Sequence, residues 1–230
     1  MRRATSLFLL LGLACFPRVS VPELERQRAS RELEGQRRVT KVAVFVGPFF
    51  GDGSKLLVSD QPFQELDLLE TTEGSVIAPP RAERILPPGT ALRVDKVEFP
   101  TGWTIAARVV MTPRYHPWVW LTLEGEPRPL VLVLPQLLAS ADDVRVEIER
   151  VAGTGDPGQA FQALPGGQRA AIAKKELVDG MSPQAIEMAW GYPEKKFIDR
   201  PANTEEWSWP AGRRRASLRD GKLVRWEPAR

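Results

Sequence analysis

Cysteine and histidine are nearly missing from this chain of 230 residues, which has one of each, Cys15 and His116. A soft-metal centre needs several thiolates or imidazoles converging on one point, and a thiol nucleophile needs a positioned base, so one Cys and one His remove both classes. Acid/base chemistry finds no better footing. His116 sits in PRYHPW with no nucleophile or orienting partner at motif spacing, and the adjacent pairs Asp142-Asp143 and Glu205-Glu206 point apart in a strand. A large charge excess is also lacking. The formal net charge of +3 is too small to argue for nucleic acid. No apolar run approaches the roughly 20 residues of a membrane-spanning helix. These absences point to a protein that is not an enzyme, carries no cofactor and does not thread a bilayer. What is present is a globular composition, 43% hydrophobic and 27% charged, with 21 Pro and 18 Gly that predict many short elements joined by turns.

The N-terminus, MRRATSLFLLLGLAC, has two arginines, an apolar run from Leu7 to Ala14 and then the lone cysteine, the layout of a secretory signal over residues 1–14. Leu11-Gly12-Leu13-Ala14 before Cys15 resembles the lipobox of bacterial lipoproteins, with Gly12 where that family prefers leucine. The resemblance implies a Cys15 thioether-linked to diacylglycerol as the mature N-terminus, and anchorage through several acyl chains. Gly12 and Ala14 also satisfy the small-x-small rule of ordinary signal cleavage, which would leave a free thiol and a soluble periplasmic protein. Residues 15–40, rich in Arg and Glu and without an apolar stripe, predict a solvated, lipid-anchored flexible tether.

From Lys41 the texture turns to β. VAVFV, KLLV, GSVIAPP, TALRVDKVEF, WTIAARVV, WVWLTL and PLVLVLP are short β-branched or aromatic runs broken by Gly, Pro and Asp. LRVDKV alternates as a half-buried antiparallel strand, while PLVLVLP is apolar on both faces and belongs at a sheet centre or under a cover. The block ILPPGTALRVDKVEF with MTPRYHPWVWLTLEG and LVLVLP resembles the SH3-like barrels of bacterial envelope proteins, so residues 41–138 are expected to form a small SH3-like β-barrel. Residues 139–166 read as a connector. Within it ADDVRVEIERV fits strand and helix alike, with Ser140, Asp142 and Asp143 favouring a capped helix. GTGDPGQ then breaks whatever precedes it.

In residues 167–230 the segment QRAAIAKKELV predicts a helix burying Ala170, Ala173 and Leu177, with Lys174 and Lys175 pointing away and Gly180 as its stop. GMSPQAIEMAWGYP then carries unusually consistent punctuation. Ser182 caps, Pro183 takes the first helical position, and Gly191 with Pro193 ends a helix of about two turns whose Trp190 faces a core. KKFID, EEWSW, RRASLR and KLVRW supply a sheet beneath this hairpin. In LRDGKL a three-residue loop, Arg219 to Gly221, would gather Ala216, Leu218, Val224 and Trp226 on one face, whereas a two-residue Asp220-Gly221 loop would send Val224 and Trp226 to the other. Gly180-Met181-Ser182, Ile186, Gly191, Pro193, Trp207-Ser208-Trp209 and Leu218 through Lys222 resemble the SmpA/OmlA/BamE family of small outer-membrane lipoproteins. That resemblance implies two helices on a three-stranded antiparallel sheet and a supporting role in outer-membrane protein assembly, though here a β region stands between anchor and module.

The expected fold is therefore α+β, an SH3-like β-barrel followed by an ααβββ module. Trp103, Trp118 and Trp120 are candidates for a ligand groove on the barrel, and core packing competes for Trp118 and Trp120, which share a face. Arg213, Arg214 and Arg215 are candidates for contact with anionic headgroups, against the simpler reading of a solvated strand face. Two functions fit: an anchored scaffold or accessory factor for envelope proteins, including the outer-membrane assembly machinery, or a periplasmic module whose barrel recognises a cell-wall or peptide ligand.

Overall fold

The computed structural model describes residues 21–228, so the signal and Cys15 lie outside the described residues. The chain enters through α1 (Glu23–Leu33) and β1 (Arg37–Thr40), then forms β2 (Val44–Phe49), β3 (Asp52–Ser59), a 3-10 turn at Phe63–Glu65, β4 (Arg84–Leu86) and β5 (Ala91–Glu98). After α2 (Gly102–Ala107) come β6 (Trp118–Thr122), β7 (Leu130–Val133), α3 (Ala141–Val151) and β8 (Ala152–Gly153). These eight strands make one sheet in the order β4-β2-β3-β7-β6-β5-β1-β8, curled into a half-barrel. β7 lies between β3 and β6 with Leu130, Val131 and Leu132 buried, as its two-faced apolar sequence requires.

The remaining elements are α4 (Gly158–Gln162), α5 (Gly166–Ala173), α6 (Pro183–Trp190), β9 (Lys195–Asp199), β10 (Thr204–Ser208), a 3-10 turn at Pro210–Gly212, β11 (Arg215–Arg219) and β12 (Lys222–Glu227). Their strands form a separate antiparallel sheet of four, β12-β11-β10-β9, where the family resemblance implied three. The fold is thus mixed α+β with two sheets.

Two expectations fail for identifiable reasons. The tether is largely structured: residues 23–33 are helical and Arg37–Thr40 is a strand between β5 and β8. The stripe that docks α1 consists of only Ala29 and Leu33, one turn apart, and two residues are too few to register as amphipathic. The run WTIAARVV is not a strand, because Thr101 caps α2 by accepting a hydrogen bond from Thr104 N and overrides the β-branched composition. Within the expected connector the capping residues predict a helix, and one forms. α3 forms with a full capping box between Ser140 and Asp143, and its Val144, Ile148 and Val151 enter the first core.

The last turn corrects the predicted register. Arg219 pairs with Lys222, so the loop has two residues, and Asp220 and Gly221 both take positive φ (50° and 68°), as a tight hairpin requires. A β-bulge between Ser217 and Leu218 then skips Val224 and sets Trp226 opposite Ala216. Leu218, Leu223 and Ala216 are buried while Val224 is exposed, so a bulge recovers most of what a longer loop was expected to supply.

Candidate functional site

α6 spans Pro183–Trp190 as its punctuation predicts, with Ser182 accepting from Ala185 N and Gly191 leaving the helix at φ 80°. Gly191 is required twice over. A Cβ there would be strained and would lie 2.7 Å from Asp60 Oδ2, a carboxylate of the first sheet's loop. The helix therefore delivers Trp190 into the core against Trp209, ring centroids 5.1 Å apart and nearly perpendicular. Trp190 Nε1 donates to Lys175 O at 3.0 Å, and Trp209 Nε1 donates to Gly191 O at 3.1 Å, so both indoles have their polar edge satisfied.

Lys175 departs most from expectation. α5 stops at Ala173 and buries Ala171 and Ile172, leaving Ala170 and Ala173 exposed, so the helical face differs from the predicted one. Lys175 then takes the left-handed conformation, φ 56°, which turns its side chain inward. Its Nζ donates to Ala43 O, at the start of the first sheet's β2 region, at 2.6 Å and lies over the Phe45 ring. Burial pulls its pKa down to about 7, with Arg214 adding to the depression and Asp60 and Glu65 opposing it.

Arg214, just ahead of β11, stands on the same side of the seam as Lys175 and reaches across it as well. Only 3% exposed, it donates from Nε to Glu65 Oε2 at 3.2 Å and from Nη1 to Trp190 O at 3.2 Å. Burial holds its pKa below the ordinary guanidinium value against the pull of Glu65 and Asp60. Among the described residues, Glu65 Oε1 and Arg214 Nη2 have no protein partner. Beside them opens a cavity of about 850 Å³ lined in part by Phe45, Glu65, Lys175, Trp190, Arg214 and Trp226. Two cations and two carboxylates from both sheets thus share one low-dielectric seam. Lys175 ties to a carbonyl and Arg214 to a carboxylate, which makes the cluster a fastener between sheets. Ala43 N donating to Met188 O at 2.7 Å, and Ala43 joining the second core, reinforce it.

The arginine run therefore divides: Arg213 and Arg215 face solvent while Arg214 is spent on the seam. The tryptophan set divides too. Trp118 is buried, with Nε1 donating to Pro113 O, and Trp120 is half-buried beside it with ring centroids 6.0 Å apart. Trp103 stands apart, 90% exposed on α2. The three do not line one groove. His116 is buried, its Nδ1 2.8 Å from Leu134 O and its Nε2 3.0 Å from Gln136 Nε2, and burial lowers its pKa.

No family model matches this chain, and neither a characterised protein nor a solved structure matches it. What remains is its own geometry. Among the described residues, no group of three His, Cys, Asp or Glu side chains is placed to hold a metal ion, and no helix is long and apolar enough to cross a membrane. Exposed features carry more information. β9 is an edge strand, hydrogen-bonded only to β10, and presents Phe197 at 71% exposure beside exposed Ile198. Sequence reasoning passed over both because KKFID reads simply as one strand of the sheet beneath the hairpin. Edge position, which alone exposes its backbone groups, depends on the order of strands in space.

Proposed function

We propose that this protein is a non-catalytic bacterial envelope lipoprotein, held at the periplasmic face of the outer membrane by acyl chains on Cys15, that serves as a scaffold or accessory factor in outer-membrane protein assembly or envelope maintenance. In this reading residues 41–138 belong to the SH3-like class and residues 167–230 to the SmpA/BamE-like class. The observation that carries it is the open edge of the second sheet. An unpaired strand edge flanked by exposed Phe197 and Ile198 suits the addition of an extended backbone segment from another protein, where main-chain hydrogen bonds give affinity and alternate side chains give choice. Lys195 at one end of the strand and Asp199 at the other supply charges of opposite sign that favour one strand direction.

The competing reading, a barrel that recognises a cell-wall or peptide ligand, loses support from the burial of Trp118 and the separation of Trp103. A photo-reactive amino acid placed at Phe197 in the full chain, irradiated in intact envelopes, tests the proposal. Crosslinks to a β-barrel assembly component are expected. Recovery of cell-wall fragments or peptides from a probe on the first sheet, with Phe197 silent, would overturn it.

A further inference from the structure

The excursion between β5 and β6 carries large apolar side chains that the described residues leave largely uncovered. Trp103 is exposed on α2, and Val109, Val110, Met111 and Tyr115 follow, each roughly half exposed or more. Leu137, 93% exposed, belongs to the same end of the molecule. Trp118 at the start of β6 pairs with Val133 at the end of β7, so the excursion arrives where the segment after β7 departs. His116 Nδ1 against Leu134 O joins the two segments directly.

This exposure is not slackness. The buried Arg108 guanidinium lies 3.6 Å over the Trp118 ring and donates to the Glu98 carboxylate, to Arg114 O at 2.8 Å and to His116 O at 2.7 Å. The backbone is pinned from within while the apolar side chains project outward.

The described chain begins at this same end. Val21 is buried in the first core with Phe99 and Leu138. The first turns of α1 and α2 face each other across one groove, which Glu23 and Arg26 share with Thr101 and Thr104. Glu25 Oε2 accepts from Ala141 N, fixing α1 to the segment that follows Leu137. Five residues separate Cys15 from Val21, a reach of at most about 20 Å. An acyl anchor on Cys15 would thus hold this end of the body close to the bilayer.

We propose that the surface formed by Trp103, Val109, Val110 and Leu137 is a membrane-seating face, with the Trp103 indole at headgroup depth. The proposal rests on the lipoprotein reading of Cys15. Its chemistry suits a lipid surface: an indole prefers the bilayer interface, the aliphatic side chains suit the acyl boundary, and Arg114, lying over the Tyr115 ring, brings a cation to headgroup level. The acidic groups of α1 and β5 are paired, Glu23 with Arg26, Glu25 with Arg28, and Glu98 with Arg108 and Lys96, while Asp67 and Glu70, which share a groove with Leu137, are exposed, so the seating rests on apolar contact and the anchor more than on attraction to anionic lipid.

The test uses the full acylated chain in vesicles of phosphatidylethanolamine and phosphatidylglycerol whose acyl chains carry bromine near the headgroup. Bromine should quench part of the tryptophan emission. Trp103→Ser should lose that part without a change in melting temperature. In a Cys15→Ala background, Trp103→Ser or Val110→Asp should weaken vesicle binding by roughly tenfold, the scale for removing one partly buried apolar side chain. Equal quenching in wild type and Trp103→Ser, or none in either, overturns the seating. Mass spectrometry of Cys15 in the same samples separates the two claims. Acylated protein with unquenched Trp103 sinks the seating and leaves the anchor standing, whereas a free thiol with Trp103 quenched sinks the anchor and supports the seating. A photo-reactive residue at position 103 that captures protein while brominated lipid stays silent assigns the surface to a protein contact and overturns the proposal.

Discussion

Lys175→Met examines the seam between the sheets where its energetics are most exposed. In the unfolded chain this lysine holds its proton to about 10.5, whereas burial in the folded protein releases it above about 7. Between those values the unfolded state binds more protons, so the lysine's contribution makes stability rise with pH. Below about pH 7 the full cost of burying the charge is present, and by about pH 10.5 it has gone. At about 1.4 kcal/mol per pH unit, the span from 10.5 to about 7 sets a ceiling of about 5 kcal/mol. Methionine keeps most of the stem and removes the titration, but it leaves Ala43 O without its donor, at about 1 kcal/mol. Urea unfolding of both proteins, followed by tryptophan emission from about pH 6 to 10, isolates this site because other groups cancel in the difference. The variant should exceed wild type by up to about 4 kcal/mol at the acid end and lose that advantage as pH rises, ending level or behind by at most about 1 kcal/mol, the missing hydrogen bond. A difference that stays flat with pH would refute the reasoning, since it would mean that solvent reaches the amine and the seam is not dry.

Two further substitutions probe neighbouring parts of the argument. Trp190→Ala should cost on the order of 3 to 5 kcal/mol in urea unfolding, because it empties the contact with Trp209 and strips Lys175 O of its donor; an unchanged transition would place Trp190 outside the core. Ser140→Ala should cost about 1 kcal/mol by removing the capping box of α3, and if it costs nothing the first core does not depend on that helix.

Legibility in the sequence followed the range of the forces involved. α6 was readable to its end residues because Ser182, Pro183 and Gly191 act within one turn of where they stand. The two-faced strand β7 was readable from its own seven letters. Lys175 was not, since its inward turn depends on a positive φ after α5 and on Ala43, 132 positions away, offering a carbonyl. Arg214 likewise reads as one of three equivalent arginines until Glu65, 149 positions distant, is brought beside it. The face formed by Trp103 and Leu137 was half visible. An exposed tryptophan could be nominated, but its neighbours come from a segment that only sheet topology places at the same end. The final hairpin shows a subtler limit, for apolar patterning placed Ala216 and Leu218 in the core but chose Val224 where Leu223 is buried, because a bulge, which no pattern specifies, supplied the register.

The account turns on what happens to Cys15, because the anchor fixes both the compartment and the end of the body that meets lipid. Mass spectrometry of the mature N-terminus from envelope membranes decides it directly. Cys15 should be the first residue and carry a diacylglyceryl thioether, and Cys15→Ala should release the protein from membranes. An unmodified thiol at that position, in protein recovered from the soluble fraction, would contradict the account.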